Sequence, residues 1–213
     1  MSENLDLNLY SRQIGTIGID TMKKLIHLKI LIVGLRGLGV EIAKNIILAG
    51  PNHVSIFDPE IVKINDLGAN FYLSIDDIKN QKRKDEACLK KLSELNPYTQ
   101  CDIMEGLDIL TQIKNYNLII ISELTNIEKL YKINENCSNN NIGFIYTLAL
   151  GITEVCFVDF GEHNITDKDG EEIKTYLIKN ISKNGEFFID KTISNENFNI
   201  AKGNYKIFKD YGL

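Results

Sequence analysis

Apolar positions follow two patterns in the first part of the chain, an unbroken run and a helical spacing, and each pattern predicts one type of element. The run Lys29–Val33 is apolar and β-branched and ends at glycine, which predicts a buried parallel strand. Apolar residues recur at helical spacing from Leu38 to Ala49, and Gly50 and Pro51 end that helix. Together with a second strand at Val54–Asp58, these residues predict a βαβ unit.

The same alternation of strands and helices continues to about residue 150. Further strands are predicted at Cys101–Met104, Asn117–Ser122 and Phe144–Thr147, and helices at Gln81–Leu95 and Asn126–Ser138. Strands that alternate with helices favour a mostly parallel sheet covered on both faces. The prediction is therefore an α/β domain with a doubly wound, Rossmann-like sheet.

The pattern changes near residue 160, beyond which no amphipathic helix is predicted. Tyr176–Ser182 and Glu186–Ile189 read as two strands, and Lys183–Gly185 supplies an Asn-Gly turn between them. We therefore predict two domains: residues 1–162 form the α/β domain, and residues 163–213 form a small antiparallel β module.

Composition and charge narrow the class of protein. Apolar residues make up 44% of the chain and charged residues 25%, and the net charge is -5. This balance is ordinary for a soluble globular protein and gives no basic surface for nucleic acid. No apolar run approaches the ~20 residues of a membrane helix, and the polar, acidic N-terminus does not resemble a presequence. We expect no nucleic-acid or membrane partner, and a cytoplasmic or nuclear location.

The cysteines do not predict a metal site. Cys88, Cys101, Cys137 and Cys156 are widely spaced and form no CxxC pair. That spacing argues against a zinc site and against a disulfide framework. Each lies among apolar residues, so we predict four buried structural thiols and no metal.

A glycine loop lies between the first strand and its helix, where dinucleotide-binding loops are found. It contains Gly34, Gly37 and Gly39, but Arg36 stands where the GxGxxG pattern needs its second glycine. A side chain there should fill space that the phosphates require, and Asp58 could hold a ribose hydroxyl or could have no ligand. From the residues alone, the loop is either vestigial or still able to bind a nucleotide.

Several longer stretches resemble the adenylating enzymes that activate ubiquitin-like proteins. The segments that carry this resemblance are Tyr10–Ile14, Gly15–Gly18, Met22–Leu25, Val33–Gly50 and Asp66–Leu73. They are most similar to the inactive adenylation half of the ubiquitin-activating enzyme and its SUMO- and NEDD8-activating relatives. The resemblance implies a ThiF/MoeB-type fold.

The tail resembles one branch of this family. It is similar to the first catalytic-cysteine half-domain, which is characteristic of the ubiquitin-activating enzyme and which the SUMO counterpart subunit lacks. The matching segments are Asp159–Glu162, Thr166–Glu172, Ile181–Lys183 and Gly203–Leu213. We therefore expect the N-terminal part of a longer protein.

Departures from the active half of the family are as informative as the matches. Active members carry Asn-Arg-Gln-Phe where this chain has Gly68–Phe71, so Ala69 replaces the arginine that helps to hold ATP. They also carry an aspartate that organises magnesium, and Thr125 stands there. With Arg36 in the loop, the resemblance implies that this half binds neither ATP nor Mg²⁺, which belong to the active half of the enzyme.

One family contact is retained. In these enzymes an arginine of the N-terminal segment reaches the nucleotide of the other half, and Arg12 occupies that position. A guanidinium suits this role because its charge is permanent and its donors match phosphate oxygens. The resemblance thus implies that Arg12 contacts the ATP phosphates of the active half.

The implied partners are ubiquitin, the active adenylation half and, through the full-length protein, ubiquitin-conjugating enzymes. Three alternatives are a stand-alone pseudoenzyme subunit of a SUMO- or NEDD8-activating heterodimer, a self-sufficient bacterial adenylating enzyme and an NAD-dependent oxidoreductase. The bacterial type usually carries paired CxxC zinc ligands, and the oxidoreductase needs a catalytic constellation and substrate domain that we do not find in the sequence.

Overall fold

The computed structural model describes residues 6, 8–106, 108–162, 178–181 and 187–189. The chain divides into two compact units, residues 1–163 and 164–213. The first contains a six-stranded sheet with helices, and the second contains a described two-stranded ribbon. The predicted α/β class and doubly wound sheet are confirmed.

The sheet of the first unit is parallel except at one edge. Its strands are β1 (Lys29–Val33), β2 (His53–Phe57), β3 (Gln100–Ile103), β4 (Leu118–Ile121), β5 (Gly143–Leu150) and β6 (Thr153–Asp159). They lie in the order β3-β2-β1-β4-β5-β6, and only β6 runs antiparallel to its neighbour. Since β1 pairs with β2 on one side and β4 on the other, the direction of winding reverses between β1 and β4.

Helices cover both faces of this sheet. The described α-helices are α1 (Ser11–Ile17), α2 (Ile19–Leu25), α3 (Gly37–Ala49), α4 (Ile75–Lys79), α5 (Lys84–Ser93), α6 (Ile109–Gln112) and α7 (Ile127–Asn139), with 3₁₀ turns at Ile64–Gly68 and Ile113–Asn115. None of them is long and apolar enough to cross a membrane.

Strand β1 shows why the sheet needs two helical layers. Ile30 and Ile32 enter the core beneath α3 and α5, whereas Leu31 and Val33 enter the core beneath α6 and α7. Successive side chains of a strand point to opposite faces, and here all four are buried. A strand buried on both sides has no polar face, which explains the unbroken apolar run in its sequence.

The predicted βαβ unit and the later elements are found within a few residues of their predicted bounds. The chain also forms elements that the periodicity did not predict: α1, α2, α4, α6, the 3₁₀ turns and β6. Strand β6 was missed because its residues are largely exposed at the sheet edge and carry no burial pattern.

The second unit contains part of the predicted hairpin. Strands β7 (Ile178–Ile181) and β8 (Phe187–Ile189) pair antiparallel, with Ile178 opposite Ile189. The Asn-Gly turn, and the other residues of the predicted β module, lie outside the described residues.

The prediction of four buried thiols is wrong for Cys156. Cys88 and Cys137 are buried and Cys101 is partly buried, but Cys156 is exposed on β6. Burial raises the pKa of the first three thiols to about 11, so they stay protonated at neutral pH. Cys156 differs because its strand is at the sheet edge, where no described element covers it.

A substitution at Gly39 would test how tightly the start of α3 packs against the loop after β1. A Cβ at this position would lie 2.0 Å from the Gly34 carbonyl oxygen and 2.3 Å from Ser122 Oγ, so the backbone itself would have to move. We expect Gly39→Ala to lower the free energy of unfolding by about 3 kcal/mol, as severe overpacking does. Urea denaturation followed by circular dichroism would measure this.

Gly15→Ala is the matched control, because nothing lies within 4 Å of a Cβ built at Gly15. We expect that variant to be as stable as the wild type or slightly more stable, since alanine favours a helix interior. Equal destabilisation by both substitutions would contradict the packing argument.

Candidate functional site at the carboxyl edge of the sheet

The glycine loop lies at the point where the sheet reverses its winding. It follows β1, and Ser122 and Glu123 follow the neighbouring β4 at the same edge. Ligands of open α/β sheets bind outside the carboxyl ends of the strands at such a point. Gly34 has a φ of 88°, which only glycine adopts readily, and its amide donates to the carbonyl of Phe57. This edge is therefore the candidate site.

Hydrogen bonds from two directions fix the loop. The Leu35 amide donates to Asp58 Oδ2 over 2.8 Å, and Ser122 Oγ donates to the Gly34 carbonyl over 2.9 Å. Asp58 Oδ1 in turn accepts from the Glu60 amide. Both carboxylate oxygens of Asp58 are thus engaged by the backbone around the loop, and the residue is 2% exposed.

The segment that follows β2 packs directly on the loop. Asn70, which is buried, donates from Nδ2 to the Leu35 carbonyl over 2.8 Å. A Cβ built at Gly37 would lie 2.8 Å from the Cβ of Ala69. Ala69 therefore lies against the start of α3 and offers no cationic side chain there.

Lys84 is a fully buried cation beneath this segment. Its Nζ lies 2.8 Å from Glu60 Oε2, 3.6 Å from Asp66 Oδ1 and 3.8 Å from Asp58 Oδ2, and its side chain is 1% exposed. An isolated buried ammonium would cost several kcal/mol, and these carboxylates offset that cost by pairing with it. They come from the end of β2 and from the 3₁₀ turn, and they hold both against α5.

Arg36 shares one of these carboxylate oxygens. Its Nη2 lies 3.2 Å from Glu60 Oε2, the same atom that Lys84 contacts, and its side chain is 60% exposed. The hydrogen bond from Lys84 is the main reason why the pKa of Glu60 falls to about 2, and Arg36 adds to the effect. The Glu60 carboxylate therefore bridges Arg36 of the glycine loop and the buried Lys84.

Other acidic groups surround the loop. Asp85 is fully buried, accepts from the Asp58 amide over 3.0 Å and pairs with Arg83 over 2.6 Å. Burial raises the pKa of Glu123, which lies over Gly34, and the charge on Asp58 raises it further. Among the described residues, no group of three His, Cys, Asp or Glu side chains is arranged to hold a metal ion.

Arg12 lies away from this edge. It belongs to α1, whose neighbouring residue Gln13 donates from Nε2 to the carbonyl of Ala49, the last residue of α3. The glycine loop is at the other end of that helix, and thirteen residues of α-helix span about 20 Å. Arg12 is exposed and pairs with no acidic residue that the structure describes.

The structure thus groups Gly34, Arg36, Gly37, Gly39 and Asp58 at one edge and leaves Arg12 at the opposite one. It places Thr125 between β4 and α7 at the carboxyl edge. Sequence reasoning missed the central cation, because the charged run around Lys84 reads as the exposed start of a helix. A buried charge can be recognised there only by its partners, which lie 18 to 26 residues earlier in the chain.

A comparison with protein families finds a match between residues 10–169 and the ThiF family. The chain is 35% identical to "Ubiquitin-like modifier-activating enzyme 1" of Dictyostelium discoideum over 97% of its own length and 20% of that protein. It is 39% identical to "Ubiquitin-activating enzyme E1 1" of Candida albicans, covering 86% of this chain and 18% of the relative. The chain thus spans about a fifth of the length of these curated relatives.

Solved structures show the same fold at low sequence identity. A crystal structure of E. coli MccB with MccA-N7isoASN superposes with a TM-score of 0.61 at 19% identity, covering 74% of this chain and 48% of that one. A structure of PaaA gives a TM-score of 0.56 at 17% identity, covering 69% and 49%. Both confirm the ThiF/MoeB-type fold.

Replacing Glu60 with Gln should change how stability depends on pH. A carboxyl whose pKa falls from 4.5 to about 2 on folding stabilises the protein above pH 4.5, and this contribution is lost as pH falls through about 2. We expect Glu60→Gln to cost about 1 kcal/mol near pH 6, a modest value because solvent screens this half-exposed group. The cost should shrink steadily below pH 4.5.

Urea denaturation at a series of pH values from 6 to 2 would measure the difference between the two proteins. Glu128→Gln is the control, since Glu128 is exposed and takes no part in the ion pairs described above. A cost for Glu60→Gln that stays constant across this range would contradict the ion-pair argument.

Proposed function

The chain belongs to the ThiF family, and we propose that it is the N-terminal part of an ATP-dependent ubiquitin-activating enzyme. The similarity to relatives named ubiquitin-activating enzyme E1, over 85% or more of this chain, supports the proposal. In such an enzyme ATP reacts with the ubiquitin C-terminal carboxylate to give an acyl-adenylate and pyrophosphate. A cysteine thiolate then displaces AMP and takes the acyl group as a thioester.

In this proposal the adenylation half formed by residues 1–162 is degenerate and binds no nucleotide. The observation that carries the point is the position of Glu60, whose Oε2 bridges Arg36 and Lys84. Incoming phosphate oxygens would have to displace this carboxylate and would also meet the acidic side chains of Asp58 and Glu123. The residues at this loop therefore do not fit ATP or Mg²⁺, and no step of the reaction is placed here.

In this proposal the catalytic contribution of this half is the side chain of Arg12. Arg12 lies at the C-terminal end of α3, whereas the glycine loop of this half lies at the start of α3. This separation supports an action of Arg12 outside this half, on the phosphates bound by the active half. A guanidinium there would pair with phosphate oxygens as charge shifts towards the leaving pyrophosphate. The remaining role is structural: this half packs on the active half and, with the β module, presents a surface to ubiquitin.

The partners follow from the same proposal. Ubiquitin is the protein substrate, the active adenylation half belongs to the same polypeptide, and ubiquitin-conjugating enzymes receive the thioester from the full-length protein. The relatives include "Ubiquitin-like modifier-activating enzyme 6" of Homo sapiens at 38% identity. The proposed class of protein substrate therefore comprises ubiquitin and ubiquitin-like proteins.

Calorimetric titration of this chain with Mg-ATP and with NAD tests the degenerate loop. We expect no binding heat with either ligand at millimolar concentration, because Glu60 holds Arg36 and Lys84 and because Asp58 and Glu123 are acidic. Heat with ATP would contradict the inactive loop, and heat with NAD would instead support an oxidoreductase.

Arg12→Ala in the full-length enzyme tests the proposed contact. We expect ATP–pyrophosphate exchange to slow by ~10²–10³-fold, less than the 10³–10⁵ of arginine fingers at a γ-phosphate, because the attack falls on the α-phosphate. Arg12→Lys should recover little, since an ammonium lacks the planar donor pair.

Lys23→Ala is the matched control, because it removes an exposed cation from the adjacent helix α2. It should leave the exchange rate unchanged. An unchanged rate in Arg12→Ala would contradict the assignment of Arg12.

A further inference from the structure

Helix α1 has no buried residue that would fix its position on the domain. It contains seven residues. Helices of this length are not stable in isolation, so α1 must be fixed by contacts with the rest of the domain. Those contacts decide where the side chain of Arg12 is presented.

Tyr10, which precedes α1, supplies the first contact. It is 6% exposed, and its Oη accepts a hydrogen bond from Asn96 Nδ2 over 3.2 Å. Its ring lies against Gly50, where a Cβ would approach Oη to 2.4 Å and the ring carbons to 2.8 Å. Gly50 has a φ of 86°, so glycine both ends α3 and makes room for the tyrosine.

Gln13 supplies the second contact, at the same end of α3. Its Nε2 donates to the Ala49 carbonyl over 3.0 Å. The Ile47 carbonyl nearby accepts from Asn96 Nδ2 and Thr99 Oγ1. The last carbonyls of a helix have no partner within the helix, so Gln13 satisfies the Ala49 carbonyl, while Asn96 and Thr99 add to the bond that Ile47 already accepts from the Gly50 amide.

Tyr10 and Gln13 are three residues apart, which places them on one side of the first turn of α1. Arg12, between them in sequence, is directed away from that side and is exposed. We propose that Tyr10 and Gln13 form a clasp on the C-terminus of α3 and are positioning residues for Arg12. This inference rests on the proposed function, because Arg12 needs positioning only if it reaches a nucleotide in the active half.

The physical reason is the demand that catalysis makes on geometry. A displacement of about 1 Å at a charge-stabilising group can cost as much as 10²-fold in rate. A long arginine side chain on an unanchored seven-residue helix would have to order both backbone and side chain when it binds phosphate. The clasp orders the backbone in advance, so that only the side chain remains to be placed.

A double-mutant cycle in the full-length enzyme tests the clasp. Gln13→Ala should slow ATP–pyrophosphate exchange about 10-fold through kcat, with little change in the KM for ATP. In an Arg12→Ala background the same substitution should cause no further loss, because Gln13 acts through Arg12. Gln112→Ala, which removes a partly buried glutamine of α6, is the matched control because Gln13 is partly buried too, and it should change neither background.

A second measurement on this chain reports the clasp without any chemistry. Tyr10→Phe removes the hydroxyl that Asn96 contacts. It leaves unchanged both residues of the Arg12–Gln13 peptide bond, which is the bond that trypsin cleaves. We expect trypsin to cleave after Arg12 about 2- to 10-fold faster in this variant, because local opening of α1 becomes easier. Cleavage after Lys114, which lies far along the chain, serves as the internal reference.

The outcomes separate this inference from the proposed function. If Arg12→Ala slows exchange but Gln13→Ala does not, or costs the same in both backgrounds, the positioning role is wrong and the role of Arg12 stands. If Arg12→Ala has no effect, both are overturned. Unchanged trypsin cleavage in Tyr10→Phe would overturn the anchoring contact of Tyr10.

Discussion

The buried charge of Lys84 is the constraint on which the carboxyl edge of the sheet depends. An ammonium removed from water must be matched closely by negative charge, or the fold loses several kcal/mol. Glu60, Asp66 and Asp58 provide that charge from two different chain segments. Because those segments must converge on one nitrogen atom, the stretch between β2 and α5 is drawn over the sheet edge, where Asn70 reaches the glycine loop.

This arrangement has the parts of an anion-binding site but supplies the anion internally. The loop, the start of α3 and the cations Arg36 and Lys84 are all present at one edge. Glu60 belongs to the same chain, so it meets these cations without the entropy cost that a free phosphate would pay on binding. A nucleotide would have to compete with a permanently available carboxylate.

Helix α3 separates the two edges of the domain. At its start, Gly39 allows close approach to Gly34, and at its end, Gly50 allows close approach to Tyr10. A side chain at either position would collide with the group packed against it, which is why both are glycine. The length of α3 then separates the glycine loop from α1 by about 20 Å. The glycine loop and the exposed Arg12 therefore lie near opposite ends of α3.

The sequence by itself determined the parts of this protein that depend on near neighbours. Short apolar runs predicted β1 and β2, and a helical period predicted α3. The glycine spacing placed a loop between the first strand and helix, because strand, helix and turn propensities act over a few residues. Only the tertiary structure decided what that loop contacts. Lys84 and Glu60 are 24 residues apart and reveal nothing locally. Their pairing exists because parallel strands bring their carboxyl ends to one edge, and an edge strand such as β6 lacks the burial that would mark it in sequence.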